Sequence, residues 1–240
     1  MKSLELPPSL DKKRKKPQKK EIDIEKLSSQ MSTEPFKDKD ILRSFIELIK
    51  NLKDKLITYD TILSDDASGR LVSLVLRKII NEARKRKGEN LSEINTYFLA
   101  TGYNFDERSI KNLQLFLKGK KPEIKKALVV TEYIETGNSI KRLIEDLEKL
   151  SIHFDVAAIS IAKDHNAYPT KITRRLYSGS QHSKIGLSFY DKTNLTGVMK
   201  NTELNIHSPH PKRINYPLLS DLAAARKDVE ILAKELEKLI

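Results

Sequence analysis

The chemistry-bearing stretch of this 240-residue chain is ALVVTEYIETGNSI, residues 127–140. Ala127 to Val130 is an apolar run that predicts a buried parallel strand. Thr131, Glu132, Tyr133, Ile134, Glu135, Thr136, Gly137, Asn138 and Ser139 read as a polar turn. An amphipathic helix from Ile140 to Leu150 follows. A strand, a turn with one Gly and hydroxyls, then a helix N-terminus makes a phosphate seat. The free backbone N–H groups and the positive end of the helix dipole point at the anion. A plain phosphate loop has no need of acidic side chains at the strand end. A carboxylate beside a phosphate fits ribose hydroxyls, or a bridging Mg2+, which takes hard oxygen ligands. The plainer reading of the same residues is an ordinary turn in an α/β domain, with Thr136 or Ser139 capping the helix.

The elements that must position this stretch follow from periodicity. Ile41, Leu42, Phe45, Ile46, Ile49 and Leu52 predict a helix over 38–55. Strands are expected at 59–63, 95–101, 126–130 and 154–162, and helices at 71–85, near 107–117, and at 138–150. Possible further strands lie near 184–190 and 204–207 within a mixed segment, 163–216. A last helix spans 218–240. Alternation of strands and helices implies a parallel sheet flanked by helices, an α/β fold. Ligands of such sheets sit at the carboxyl ends of the strands. Three polar turns fall there, at 64–70, 102–108 and 131–139.

The stretch 127–140 resembles the phosphoribosyl pyrophosphate (PRPP) loop of type I phosphoribosyltransferases. That motif is an apolar strand, two acids, a short variable stretch, then Thr-Gly-x-Ser/Thr. The match lies at Val129, Val130, Glu132, Ile134, Thr136, Gly137 and Ser139; Thr131 stands where the family usually has its first acid. With the turns included, the resemblance spans roughly residues 40–165. It implies a phosphoribosyltransferase-type fold that binds PRPP or a nucleoside monophosphate with Mg2+. It further implies transfer of a phosphoribosyl group to a nitrogenous base with release of pyrophosphate, an activity of nucleotide metabolism.

The same resemblance distributes roles. The 5-phosphate would sit on Thr131 and the turn 135–139, with the hydroxyls of Thr136 and Ser139. Glu132 would hold the ribose hydroxyls, directly or through Mg2+. Glu135 would stand near the nucleophile as general base. Ser68, Gly69 and Arg70 would form the pyrophosphate loop, Arg70 offering its guanidinium fork. Asp65 and Asp66 beside them either bridge Mg2+ or cap the following helix. Residues 102–121 would close over the site, with Arg108, Lys111, Lys118, Lys120 and Lys121 as charge donors. Lys163 would face the base under a hood formed by 184–216, where Phe189, Tyr190 or Tyr177 stack on the base or belong to the core. The missing acid at Thr131 keeps a second expectation open: a catalytically inactive nucleotide sensor or regulator on the same fold.

Composition narrows the rest. The formal net charge is +12, and residues 1–20 hold eight Lys/Arg against two Asp/Glu. DKKRKKPQKK, residues 11–20, repels itself and predicts disorder. It suits non-specific phosphate contact with RNA or DNA, or a solubility role. Residues 1–38 are therefore expected as a basic tail, 39–216 as the α/β domain with its hood, and 217–240 as a C-terminal amphipathic helix. Leu222, Val229, Leu232, Leu236 and Leu239 in that helix serve either a homodimer seam or the chain's own core. The chain has no Cys, which removes disulfides and thiolate chemistry. No apolar window reaches a membrane span, and the expected compartment is the cytoplasm. No GxG, GxxxxGK[ST] or GxSxG occurs, which argues against a dinucleotide fingerprint, a P-loop NTPase and a hydrolase elbow.

Overall fold

The computed structural model describes residues 21–65, 68–88, 92–100, 107–162, 175–182, 189, 193–199, 209–210, 212–213 and 219–240. Its centre is a five-stranded, all-parallel sheet. The strands are β1 (Thr61–Asp65), β2 (Asn95–Leu99), β3 (Lys126–Ile134), β4 (His153–Ala162) and β5 (Leu176–His182), in the order β2-β1-β3-β4-β5. The helices are α1 (Ile24–Gln30), α2 (Glu34–Lys37), α3 (Lys39–Leu52), α4 (Gly69–Arg86), α5 (Glu107–Lys120), α6 (Asn138–Lys149), α7 (Thr193–Thr196) and α8 (Leu219–Leu236). Two short strands, β6 (Val198–Met199) and β7 (Lys212–Arg213), pair antiparallel apart from the main sheet.

Alternation along the strands builds two cores. Ile62, Leu128, Val130, Ala157 and Ile159 face α3, α4 and α8. Leu63, Ala127, Val129, Val156 and Ala158 face α5 and α6. Strands covered on both faces read as continuous apolar runs, which is why β1, β3 and β4 were legible as strands. Chain direction reverses at β1: α4 leads outward to β2, and α5 then carries the chain back past β1 to β3. The crevice between the carboxyl ends of β1 and β3 is therefore the topological switch point of the sheet.

The expected tail does not extend through 21–38. Asp23 caps α1, its side chain accepting from the Lys26 N–H at 3.0 Å. Leu27, Met31 and Phe36 are buried in the first core. The carboxylate of Asp228 on α8, itself fully buried, accepts from the N–H groups of Ser32 and Thr33, each at 2.8 Å, and from the Thr33 hydroxyl at 2.7 Å. Residues 1–20, with the basic block, lie outside the described residues. The C-terminal helix places Val229, Leu232 and Leu236 in the core of its own chain, the second of the two uses its spacing allowed.

Two close approaches fix the helices on the sheet. A Cβ on Gly179 of β5 would run into the carbonyl oxygen of Ser44, so α3 lies flush on that strand. The Ser44 hydroxyl donates to Ser180 Oγ at 2.7 Å. A Cβ on Gly69, the first residue of α4, would stand 2.5 Å from the carbonyl oxygen of Val130 and 3.3 Å from Thr131 Cα. Only Gly lets α4 begin against the backbone of the central strand.

Candidate functional site at the β1/β3 switch point

The carboxyl end of β1 lies beside the middle of β3 at this crevice. β1 ends on Ser64 and Asp65, and its register sets Ser64 opposite Val130. The next residues, Asp65 and Thr131, then share one face, and the Thr131 hydroxyl donates to Asp65 Oδ2 at 2.9 Å. Both side chains are buried. A carboxylate therefore stands at the position where the sequence has no acid, carried by the neighbouring strand. Asp66 lies outside the described residues.

β3 is longer than its apolar run. It continues through Thr131, Glu132 and Tyr133 to Ile134, so the turn expected over 131–139 contracts to 135–137. Period-two alternation then turns Glu132 onto the face of Leu128 and Val130. Its side chain is 4% exposed, and Oε1 accepts the backbone N–H of Phe189. Phe189 is fully buried, with its ring centroid 5.0 Å from that of Phe36. Of its two expected uses, Phe189 has the core one. Glu132 faces the interior, away from the turn that carries Glu135 and Thr136.

That turn is open. Glu135, Thr136 and Asn138 are exposed. Gly137 is buried with φ 75°, the left-handed conformation that suits Gly, and it immediately precedes α6. The N–H of Lys141 donates to Gly137 O at 2.9 Å, so the N–H groups of the first turn, at 138–140, lead the helix without intrahelical acceptors. The Thr136 hydroxyl accepts a long bond, 3.4 Å, from the Asn138 N–H, a weak version of the capping that was the plainer reading. The Ser139 side chain lies outside the described residues. Burial pushes the Tyr133 phenol up, and the Glu135 carboxylate pushes the same way.

On the other wall, the Ser68 hydroxyl reaches back to the carbonyl oxygen of Asp65 at 3.4 Å, closing the turn before α4. Arg70, in the first turn of α4, lays its guanidinium carbon 4.3 Å from the ring centre of Phe98 on β2. The end of β2 is in turn covered by Pro209 and His210. The Ala100 N–H donates to Pro209 O at 2.9 Å, and His210 Nδ1 bonds the Phe98 carbonyl oxygen at 2.8 Å. A piece of the expected hood, 184–216, thus docks at the outer edge of β2. Lys111, Lys118 and Lys120 sit on α5, a regular helix; Lys163, Tyr190 and the loop 101–106 lie outside the described residues.

The structure therefore brings Asp65, Ser68, Gly69 and Thr131 together at the end of β1 and the N-terminus of α4, while the turn 135–137 follows further along β3, ahead of α6. The sequence did not announce Asp65 as the partner of Thr131, or Phe98 as the platform of Arg70; both depend on which strands are neighbours. As a Mg2+ ligand Glu132 does not fit, because its carboxylate is engaged inside the core. Mg2+ is usually held by one or two carboxylates together with substrate phosphates. Asp65 is the remaining hard oxygen donor at the end of β1; it too is buried and accepts the Thr131 hydroxyl, so it would have to turn toward the metal, and the ligand would have to supply the rest. Among the described residues, no group of three or more His, Cys, Asp or Glu gathers in a way that could hold a metal. No helix of the described residues is long and apolar enough to cross a membrane. No family model matches the chain, and no curated protein matches it.

Proposed function

We propose that this chain is a phosphoribosyltransferase-type protein whose β1/β3 crevice binds PRPP or a nucleoside 5-monophosphate together with Mg2+. The observation that carries this reading is the Thr131–Asp65 contact. It sets a carboxylate at the switch point of a 2-1-3-4-5 parallel sheet, where such folds take their ligands, against the strand that leads into a phosphate-type turn. The 5-phosphate rests on the turn 135–139 and the start of α6. Arg70 and the N-terminus of α4 meet the pyrophosphate. Asp65 would hold Mg2+, which would supply charge neutralisation for the leaving pyrophosphate. Glu135, exposed in the turn after β3, takes a proton from an incoming base, which gives transfer to a nitrogenous base with release of pyrophosphate.

The inward turn of Glu132 favours a second reading. With that acid held by Phe189, the crevice binds its ligand without turnover, as a nucleotide sensor or regulator that contacts RNA or DNA through residues 11–20. Pyrophosphate release, measured with PRPP, Mg2+ and a panel of purine and pyrimidine bases, separates the two. Base-dependent release that falls on Glu135→Gln supports transfer. Saturable PRPP binding without release for any base supports the sensor.

A further inference from the structure

Away from the crevice, α5 and α6 enclose a groove of about 480 Å³, inside the range of small-molecule sites. Its walls combine three chemistries. Lys111 and Lys118 on α5 and Lys149 on α6 supply positive charge; Leu115 and Leu150 supply apolar surface; Gln114 and Asp146 supply polar groups. Leu115 is 57% exposed, an unusual place for a large apolar side chain in this chain. Among the described residues neither Lys111 nor Lys118 has an ion-pair partner.

Asp146 is the second, independent observation. It is 2% exposed and lines this groove. Gln114 Nε2 donates to its Oδ1 at 2.9 Å, and Lys149 Nζ stands 3.9 Å from the same oxygen. Oδ2 is buried and accepts no hydrogen bond. A buried carboxylate oxygen without a donor is costly, and such a group calls for a reason. The groove between α4 and α8 makes the contrast. Most of its charges are already matched, Arg77 with Glu93, Lys78 with Glu230, Lys85 with Glu82 and Glu237 with Arg86.

We infer that the α5–α6 groove is a guanine-nucleotide site distinct from the switch-point crevice. A guanine edge offers two adjacent N–H donors, which suit a carboxylate acceptor such as Asp146. The base faces lie against Leu115 and Leu150. The phosphates meet Lys111, Lys118 and Lys149 at the rim, where lysine acts as a point charge for phosphate. Gln114, half-buried over Asp146, swings aside or adds its own amide to the base edge.

The test is a fluorescence titration of the full chain with N-methylanthraniloyl-GDP. Saturable binding is expected. Asp146→Asn keeps the side-chain shape and should weaken binding about tenfold or more, the loss of a charged acceptor. Lys118→Glu, a surface change with no bearing on folding, should weaken it comparably. The losses in Asp146→Asn and Lys118→Glu should persist when each is combined with Arg70→Ala, so the result stands apart from the fate of the crevice reading. Wild-type affinity in both Asp146→Asn and Lys118→Glu overturns the inference. So does absence of binding, or binding that disappears in Arg70→Ala.

Discussion

Substituting Gly69 by Ala tests the seat of α4 on the central strand. The added Cβ would stand 2.5 Å from Val130 O, about 0.9 Å short of the 3.4 Å at which ordinary contact begins. The obstructing atom belongs to the backbone of β3, which is held by β1 on one side and β4 on the other. It cannot rotate away as a side chain would, so the start of α4 must lift. Overpacking of this kind costs about 1–3 kcal/mol. Ala favours a helix over Gly by roughly 1 kcal/mol in an interior position, and by less at this first residue. The net loss is about 1–2 kcal/mol. For a chain of this size each kcal/mol moves Tm by about 2–4 °C, so a fall of roughly 2–8 °C is expected. Calorimetry reads the Tm, and urea unfolding should show a lower midpoint at unchanged slope. PRPP affinity should fall with it, since the same shift disturbs Ser68 and Arg70. A variant as stable as the parent, or more so, would refute this packing.

Other expectations follow from single contacts. Asp228→Ala strands three donors around Ser32 and Thr33 and should cost ~3 kcal/mol in urea unfolding; a loss below ~1 kcal/mol would mean that 21–37 is not anchored through this carboxylate. Burial, with the bond its hydroxyl makes to Asp155 at 2.8 Å, holds the Tyr59 phenol well above its ordinary value of 10.0. The unfolded chain then ionises first, so this contribution to stability is complete below pH 10 and declines as pH rises beyond it. Tyr59→Phe should remove that alkaline decline; an unchanged pH profile contradicts it. Deleting residues 1–20 should weaken nucleic-acid binding and flatten its dependence on salt, and an unaltered slope would make the block a bystander.

The parts of the fold that were legible in the sequence are those where one physical cause dominates. β1, β3 and β4 are buried on both faces and spell apolar runs, and α3 shows its buried stripe at helical spacing. β5 was not legible. LYSGSQH has two apolar residues, ends the strand order and is largely half-exposed, so neither period nor composition marks it. Residues 21–38 were hidden by their charge, because four apolar anchors, Ile22, Leu27, Met31 and Phe36, are too sparse to outweigh it until Asp228 is seen across the fold. At the candidate site, the presence of a turn was legible; where it begins and which way Glu132 faces were not. Whether Glu132 faces the crevice or the core depends on how far β3 runs, and the hydrophobicity signal stops at Val130. Asp65 could not be matched to Thr131 without knowing that β1 and β3 are neighbours.

The central claim is that the β1/β3 crevice holds a phosphorylated ribose. Calorimetric titration of the full chain with PRPP, with and without Mg2+, tests it most directly. The account predicts saturable one-to-one binding that strengthens with Mg2+ and falls sharply in Asp65→Asn, while the variant remains folded. A folded parent protein that takes up neither PRPP nor a nucleoside monophosphate in either condition would contradict it.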